Sequence, residues 1–319
     1  PVLVQTKLYE TIRIAWRDLN DKAPLEETLT DLSSMADAMV EAAMSCMVDQ
    51  AREKYGQPRD EAGNSQGIIV LGMGKLGAGE LNFSSDIDLI FVYPEEGMTD
   101  GEGNRRVSNN EFFTEVCRNF LKFFAPGSHE TNFYRVDTRL RPFGDGGPLV
   151  MGGQAFEEYY QAQGREWERY AMIKARPVAG DIDAGRALLA SLNSFIYRRY
   201  FDYGSFDSFR DMKQRIATQV RNKKLKNNIK LGAGGIREIE FFGQLFQLIR
   251  GGVEPRLQER KILRVLDLLV DHRCIDGRAR EELKTAYRFL RKFENRLQAY
   301  ADLQTHDIPE NPELRTVMA

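Results

Sequence analysis

The sequence predicts an α+β fold that is mostly helical: a small sheet-bearing core, flanking helices and a large C-terminal helical domain. Three observations predict it. Apolar residues recur at spacings of three and four along residues 8–55. Short β-branched runs bounded by glycine or proline are confined to a core near 57–152. Beyond about Gly153 the pattern is helical almost throughout. A chain of 319 residues can build two or three domains. The expected division is a helical segment over 1–56, the core over 57–180 and a helical domain over 181–319.

The elements follow in order. Leu32, Met35, Met39, Ala42, Ala43 and Cys46 form one apolar helix face, and Gly56 ends that helix. "GQPRDEAGNSQG" reads as a turn-rich linker. "GIIVLGMG" is a buried strand, and Asp86–Tyr93 is a second, stopped by Pro94. "PEEGMTDGEGNRR" reads as an exposed hairpin tip or loop, and Asn109–Phe124 as a helix. "NFYRVDTRLRPF" alternates polar Arg135, Asp137, Arg139 and Arg141 with Tyr134, Val136, Thr138 and Leu140, a strand with one charged face. Breaks in the later helices are expected at Pro177–Gly180, Gly204, 232–235, Gly251–Pro255 and near Gly277. "WERYAMIKARPVAG" predicts a helix packing Trp167 and Tyr170 on the sheet, with Arg169, Lys174 and Arg176 on its polar side. Phe289, Phe293 and Leu297 at helical spacing predict core or interdomain packing. There is no internal repeat, low-complexity tract or heptad seam.

Composition narrows the function. With 42% hydrophobic and 29% charged residues the chain reads as soluble and globular. Its net charge of −2 argues against a nucleic-acid binder. Cys46, Cys117 and Cys274 form no CxxC pair and sit in helix-like segments, which predicts buried free thiols in a reducing cytoplasm. His129, His272 and His306 are scattered, so neither a zinc site nor a Cys/His pair is expected. No apolar run reaches the ~20 residues of a membrane helix. The N-terminus lacks a signal peptide's basic start and cleavage site. It also lacks an initiator Met, so a piece of a longer chain is expected.

The chemistry concentrates in "LGMGKLGAGELNFSSDIDLIFVYP", residues 71–94. It is no P-loop, because Leu76 follows Gly74–Lys75 where a magnesium-binding hydroxyl is required. Gly72, Gly74 and Gly77 fit Gly-x-Gly-x-x-Gly, but the next strand begins about eight residues later, too soon for a parallel crossover. The glycines therefore build a tight turn, with or without backbone amides placed against phosphate. Asp86 and Asp88 point to one face of an apolar strand. Paired carboxylates there repel unless a cation compensates, and hard oxygen ligands suit Mg²⁺; the alternative is a pair of exposed or salt-bridged aspartates at a strand end. Asp137 is the candidate third carboxylate of a two-metal site. An ion pair with Arg135 and Arg139 is its structural alternative, and arginines there also suit a polyphosphate.

Gly-Lys followed by Ser-Asp-x-Asp, with a later third Asp, resembles the nucleotidyltransferase superfamily, whose core is a mixed sheet. More narrowly, "GMGKLGAGELNFSSDIDLIF", "YRVDTRLRPFGDGGPLV", "YYQAQGREWERYAMIKARPVAG" and "NIKLGAGGIREIEFFGQLFQLIRGG" resemble the glutamine synthetase adenylyltransferase/adenylyl-removing family, from about residue 30 to about 305. That family carries two similar domains, one adding AMP to a tyrosine of glutamine synthetase and one removing it by phosphorolysis with release of ADP. "ELNFSSDIDLIF" is similar to the removing domain; the adding domain reads closer to "ELGYGSDLDLVF". Ser84 thus stands where the wider superfamily has glycine.

The resemblance implies two Mg²⁺ ions on Asp86, Asp88 and Asp137. It places phosphate near Gly72, Gly74, Gly77, Ser84 and Ser85, with Lys75 either neutralising charge or lying at the surface. Arg139 and Arg141 either bind the phosphate co-substrate or brace Asp137. In "KLGAGGIREIEF", Gly234 and Arg237 are expected on a second wall of the cleft, and Glu238 and Glu240 point to different helix faces. The implied partners are adenylylated glutamine synthetase, inorganic phosphate and ADP, with PII signal protein and glutamine regulating the full-length enzyme; nucleic acid and membrane are not expected. The alternatives are an adenylylating domain, or a non-catalytic module sensing glutamine or PII, against which the three intact aspartates argue. A polynucleotide polymerase is disfavoured by the missing basic tract.

Overall fold

A computed structural model describes residues 2–125, 127, 133–199, 227–301, 305–311 and 315. The expected break at Gly204, and His129, lie outside them. The first helical stretch is two helices, α1 (Val2–Leu19) and α2 (Leu25–Tyr55). Asp21 turns the chain at φ 50°. Pro24 then caps α2 in extended geometry, since proline has no amide to continue a helix. The buried face of α2 runs through Leu32, Ala36, Met39, Val40, Ala43 and Met44. Ala42 and Cys46, expected on that face, are exposed.

Five strands form a mixed sheet: β2 (Ile69–Met73), β3 (Ile87–Tyr93), β5 (Val136–Asp137), β6 (Val150–Gly152) and β7 (Arg176–Gly180). β2 lies between antiparallel β3 and β7, and the other edge of β3 takes β5 and β6, both parallel. β2 and β3 pair antiparallel across a connection, residues 74–86, that opens with the short helix α3 (Gly74–Ala78). Residues alternate between the sheet's two faces. Val70, Leu89, Phe91 and Tyr93 pack with α2 and with α4 (Asn109–Phe124). Ile69, Leu71, Met73, Ile90 and Val92 pack with α5 (Gly153–Gln163), α6 (Glu166–Met172), α7 (Ile182–Ser191) and α8 (Asn193–Ile196). Helices α9 (Ile236–Arg250), α10 (Ile262–Asp271) and α11 (Gly277–Ala301) share a further core around Val265, Leu266 and Tyr287. No helix among the described residues is long and apolar enough to cross a membrane.

α4 starts on a capping box: Ser108 Oγ accepts from the Glu111 amide and Glu111 Oε2 from the Ser108 amide. Its aromatic face then stacks on the sheet, Phe120 against Phe91 and Phe113 against Tyr93. Removing this cap by Ser108→Ala will cost about 1 kcal/mol, read as a lower urea midpoint with an unchanged slope.

Several expectations need correction. The 57–67 linker and the 94–106 loop each contribute a strand, β1 (Pro58–Asp60) and β4 (Gly97–Thr99), paired antiparallel. The strand read over 133–141 is ordered as strand only at Val136–Asp137. Beyond it the Arg141 amide turns back to Thr138 O, and Pro142 donates no ladder hydrogen bond. The break expected at Pro177–Gly180 lies in edge strand β7. Trp167 is exposed, whereas Arg169 is fully buried and donates to Ile196 O and Leu248 O. Lys174 is also buried. Phe289 is exposed while Leu297 is buried. Of the cysteines only Cys117 is buried; Cys46 is exposed, and Cys274 is half-buried in a turn.

Candidate active site

Strand β3 delivers Asp88 against its register partners Met73 on β2 and Asp137 on β5. The short β5 thus sets two carboxylates side by side; Asp86, expected as the first residue of the strand, lies just before β3, which begins at Ile87. Asp86 is held by Arg135, Nε to Oδ1 at 2.5 Å, and the same guanidinium donates to Ser84 O at 2.9 Å. Asp137 is gripped by Arg139 through its backbone amide at 2.8 Å and through Nε and Nη2. This bonding holds the Asp137 carboxyl below the ordinary carboxylate range. Asp88 differs. Burial, then the charges of Asp137 and Asp86, push its carboxyl up to about 6, against the opposing charges of Lys230 and Arg139.

The glycines divide. A Cβ on Gly74, whose φ is +54°, would stand 2.6 Å from Asp88 Oδ2, so the backbone there closes directly over that carboxylate. A Cβ on Gly72 would meet Val178, and one on Gly77 would meet the Lys174 carbonyl at 2.0 Å. Those two glycines are accounted for by close packing. Ser84 and Ser85 are both buried. The Ser85 hydroxyl accepts from the Asn82 amide.

Lys75 is not a surface lysine. Its ammonium lies 2.6 Å from Asn82 Oδ1 and 2.7 Å from Glu294 Oε1 on α11. Burial lowers its pKa to about 8 against the pull of Glu294. Arg141 serves its own loop, donating to Thr138 O and Oγ1 and to Pro148 O. Gly234 takes φ +72° and its amide donates to Glu238. Arg237 is exposed at the start of α9. Glu240 instead pairs with buried Lys174 at 2.7 Å, so the two glutamates do face different ways. Sequence reasoning passed over Lys230, whose charge reaches Asp88. Its position just before the glycine cluster was the available signal.

As placed, Asp86 and Asp137 face arginines, and among the described residues no three Asp, Glu, His or Cys side chains close round one point. The chemistry of the donor set suits a hard divalent cation: three carboxylates, of which Asp88 is destabilised in its charged form by burial and then by Asp137 and Asp86.

Residues 2–191 match a family model described as Glutamate-ammonia ligase adenylyltransferase, and residues 210–319 one described as GlnD PII-uridylyltransferase. Similar curated proteins, each named bifunctional glutamine synthetase adenylyltransferase/adenylyl-removing enzyme, come from three bacteria. The Nitrosococcus oceani protein is 52% identical over 319 residues, covering 100% of this chain and 33% of the relative. The Thioalkalivibrio sulfidiphilus protein is 49% identical over 310 residues, 97% of this chain and 32% of the relative. The Methylococcus capsulatus protein is 46% identical over 318 residues, 100% of this chain and 33% of the relative. The chain thus spans about one third of the length of these relatives.

Proposed function

We propose, from the premise that the chain belongs to the glutamate-ammonia ligase adenylyltransferase family, that it removes AMP from a tyrosine of adenylylated glutamine synthetase by phosphorolysis. The observation that carries the reading is the pairing of Asp88 with Asp137 across β3 and β5, with Asp86 two residues before Asp88 and arginines bonded to Asp86 and Asp137. The direction rests on "NFSSD", which resembles the removing domain.

In this reading an oxygen of inorganic phosphate attacks the α-phosphorus of tyrosine-O-AMP in line. The new P–O bond makes ADP, the P–O(Tyr) bond breaks, and the phenolate takes its proton from solvent. A phenol with a pKa of ~10 is a fair leaving group, so no dedicated acid is needed. Phosphate is already nucleophilic, so no protein base is needed either. Mg²⁺ held by Asp86, Asp88 and Asp137 would neutralise charge on the reacting phosphoryl oxygens. Arg139, with its side chain 72% exposed, is placed to turn from Asp137 to the incoming phosphate, and Lys230 adds positive charge from the facing wall. Gly74 leaves room for the phosphoryl group over Asp88. Catalysis is then positioning and electrostatics. PII and glutamine are proposed as regulators of the longer protein.

Incubation with adenylylated glutamine synthetase, Mg²⁺ and phosphate is expected to release ADP, dependent on phosphate. Labelling of unmodified glutamine synthetase from ATP, without ADP release from the modified form, would reverse the direction. Neither activity would sink the reading.

A further inference from the structure

Residues 80–85, which join the glycine turn to the carboxylate strand, are held almost atom by atom from outside. Helix α11 supplies one side. Arg291 Nη2 donates to Glu80 O at 2.5 Å and to Asn82 Oδ1 at 2.9 Å. Asn82 Nδ2 donates to Asn295 Oδ1, and the Ser84 amide donates to Gln298 Oε1 at 2.9 Å. From the other side Ser33 Oγ on α2 accepts from the Leu81 amide, and Arg135 donates to Ser84 O. Arg291, Asn295, Gln298 and Asn82 are each at most 1% exposed.

The spacing is matched. Arg291, Asn295 and Gln298 lie at i, i+4 and i+7, one helix face rising about 10 Å. Glu80, Asn82 and Ser84 lie at i, i+2 and i+4 of a segment that spans about 13 Å if fully extended. The hydrogen bonds follow the same order along helix and segment, Arg291 with Glu80 and Asn82, Asn295 with Asn82 and Gln298 with Ser84, and the segment's next residues are Ser85 and Asp86. A helix that served only to cover the core would need apolar contacts here rather than a buried amide and guanidinium for each alternate residue.

We propose that Arg291, Asn295 and Gln298 are positioning residues: α11 fixes the 80–85 segment, and through it the placement of Asp86 and Asp88 for the reaction. The inference rests on the reading of these aspartates given above. It also crosses a boundary, because the aspartates lie in the stretch matched by the first family model and α11 in that matched by the second. The site is thus set by both parts of the chain, and any movement of α11 reaches the carboxylates within two residues.

Gln298 gives the cleanest test, because the segment uses only its acceptor oxygen. Gln298→Met removes the acceptor at similar volume; Gln298→Glu keeps it. For the full chain, kcat for ADP release is expected to fall at least tenfold in Gln298→Met, with KM for phosphate within twofold, while Gln298→Glu retains most of the parent's kcat. A Met variant as active as the parent, or Met and Glu variants equally impaired, overturns the proposal. Should Gln298→Met fail to fold by circular dichroism, Asn295→Ala against Asn295→Asp makes the same comparison. Amide hydrogen exchange over residues 82–86 is read in parallel. It is expected to quicken at least tenfold in the acceptor-less variant, with α4 unchanged; unchanged exchange overturns the proposal. If the parent itself releases no ADP, the proposed reaction fails, and exchange alone decides whether the clamp exists.

Discussion

Asp88→Asn will silence the site and stabilise the fold together. In the proposed reaction, loss of activity follows from its place, beside Asp137 on β5 and two residues after Asp86, which leads into β3. Outer partners of a metal-binding group already cost 10–100-fold on mutation; loss of this oxygen donor should cost roughly 100-fold or more. The gain in stability follows from the same geometry. Burial and two neighbouring carboxylates raise the Asp88 carboxyl from its ordinary 3.8 to about 6. An acid raised in the folded state binds its proton more tightly there than in the unfolded chain. Its ionisation therefore costs nothing below pH 3.8, costs progressively more up to about 6, and costs its full amount above. A shift of about two units corresponds to roughly 3 kcal/mol. Asparagine carries no such penalty. Scanning calorimetry at pH 7.5 without divalent cation should show a midpoint several degrees above the parent's, with the difference fading towards pH 4. A difference that does not change between the two pH values would mean that neither burial nor the neighbouring carboxylates raise Asp88.

The same carboxylates explain what was legible beforehand. Asp86 and Asp88 stand out because i and i+2 share a strand face and their neighbours are apolar, a local pattern. The reading that no parallel crossover follows β2 agrees with the antiparallel β2–β3 pair, although the connection is longer than expected and carries α3. Asp137 was legible in type but not in setting. Its alternation extended well past the two residues that pair, because Arg139 folds back on Asp137 and Arg141 is drawn to Thr138. The ribbon of β1 and β4 was hidden, since two three-residue polar strands carry no hydrophobic period. Lys75 was hidden for a different reason. Its partner Glu294 is 219 residues away, and a helix rich in Arg, Lys and Glu reads as solvated. Charge buried by pairing leaves no mark in composition, so this long-range network could only emerge from the fold.

That network carries the second large effect. Lys75, Arg291 and His306 surround Glu294 at 2.7, 3.2 and 3.0 Å, and Glu294 and Arg291 are fully buried. Burial alone would raise the Glu294 carboxyl, but Lys75, His306 and Arg291 outweigh it and hold the carboxyl well below its usual range. Glu294→Gln removes the only acid bonded to Lys75 among the described residues while Arg291 stays close by, leaving two buried cations uncompensated. Breaking a buried pair in this way costs about 3–5 kcal/mol. Lys75→Met leaves the opposite excess, relieved by Arg291, and should cost less. The double variant Lys75→Met with Glu294→Leu removes both charges. It is expected to be more stable than Glu294→Gln alone, with a coupling of roughly 1–3 kcal/mol in a double-mutant cycle. Urea unfolding of the four chains measures it; additive losses would show that the pair contributes nothing as a pair. The pH dependence adds an independent sign. Burial pushes the Lys75 ammonium from 10.5 down to about 8, so between those values the unfolded chain binds the extra proton. The parent must therefore gain stability relative to Lys75→Met as pH rises from about 8 towards 10.5; a flat difference over that window would mean that the ammonium is solvated, and a loss that the pull of Glu294 outweighs burial.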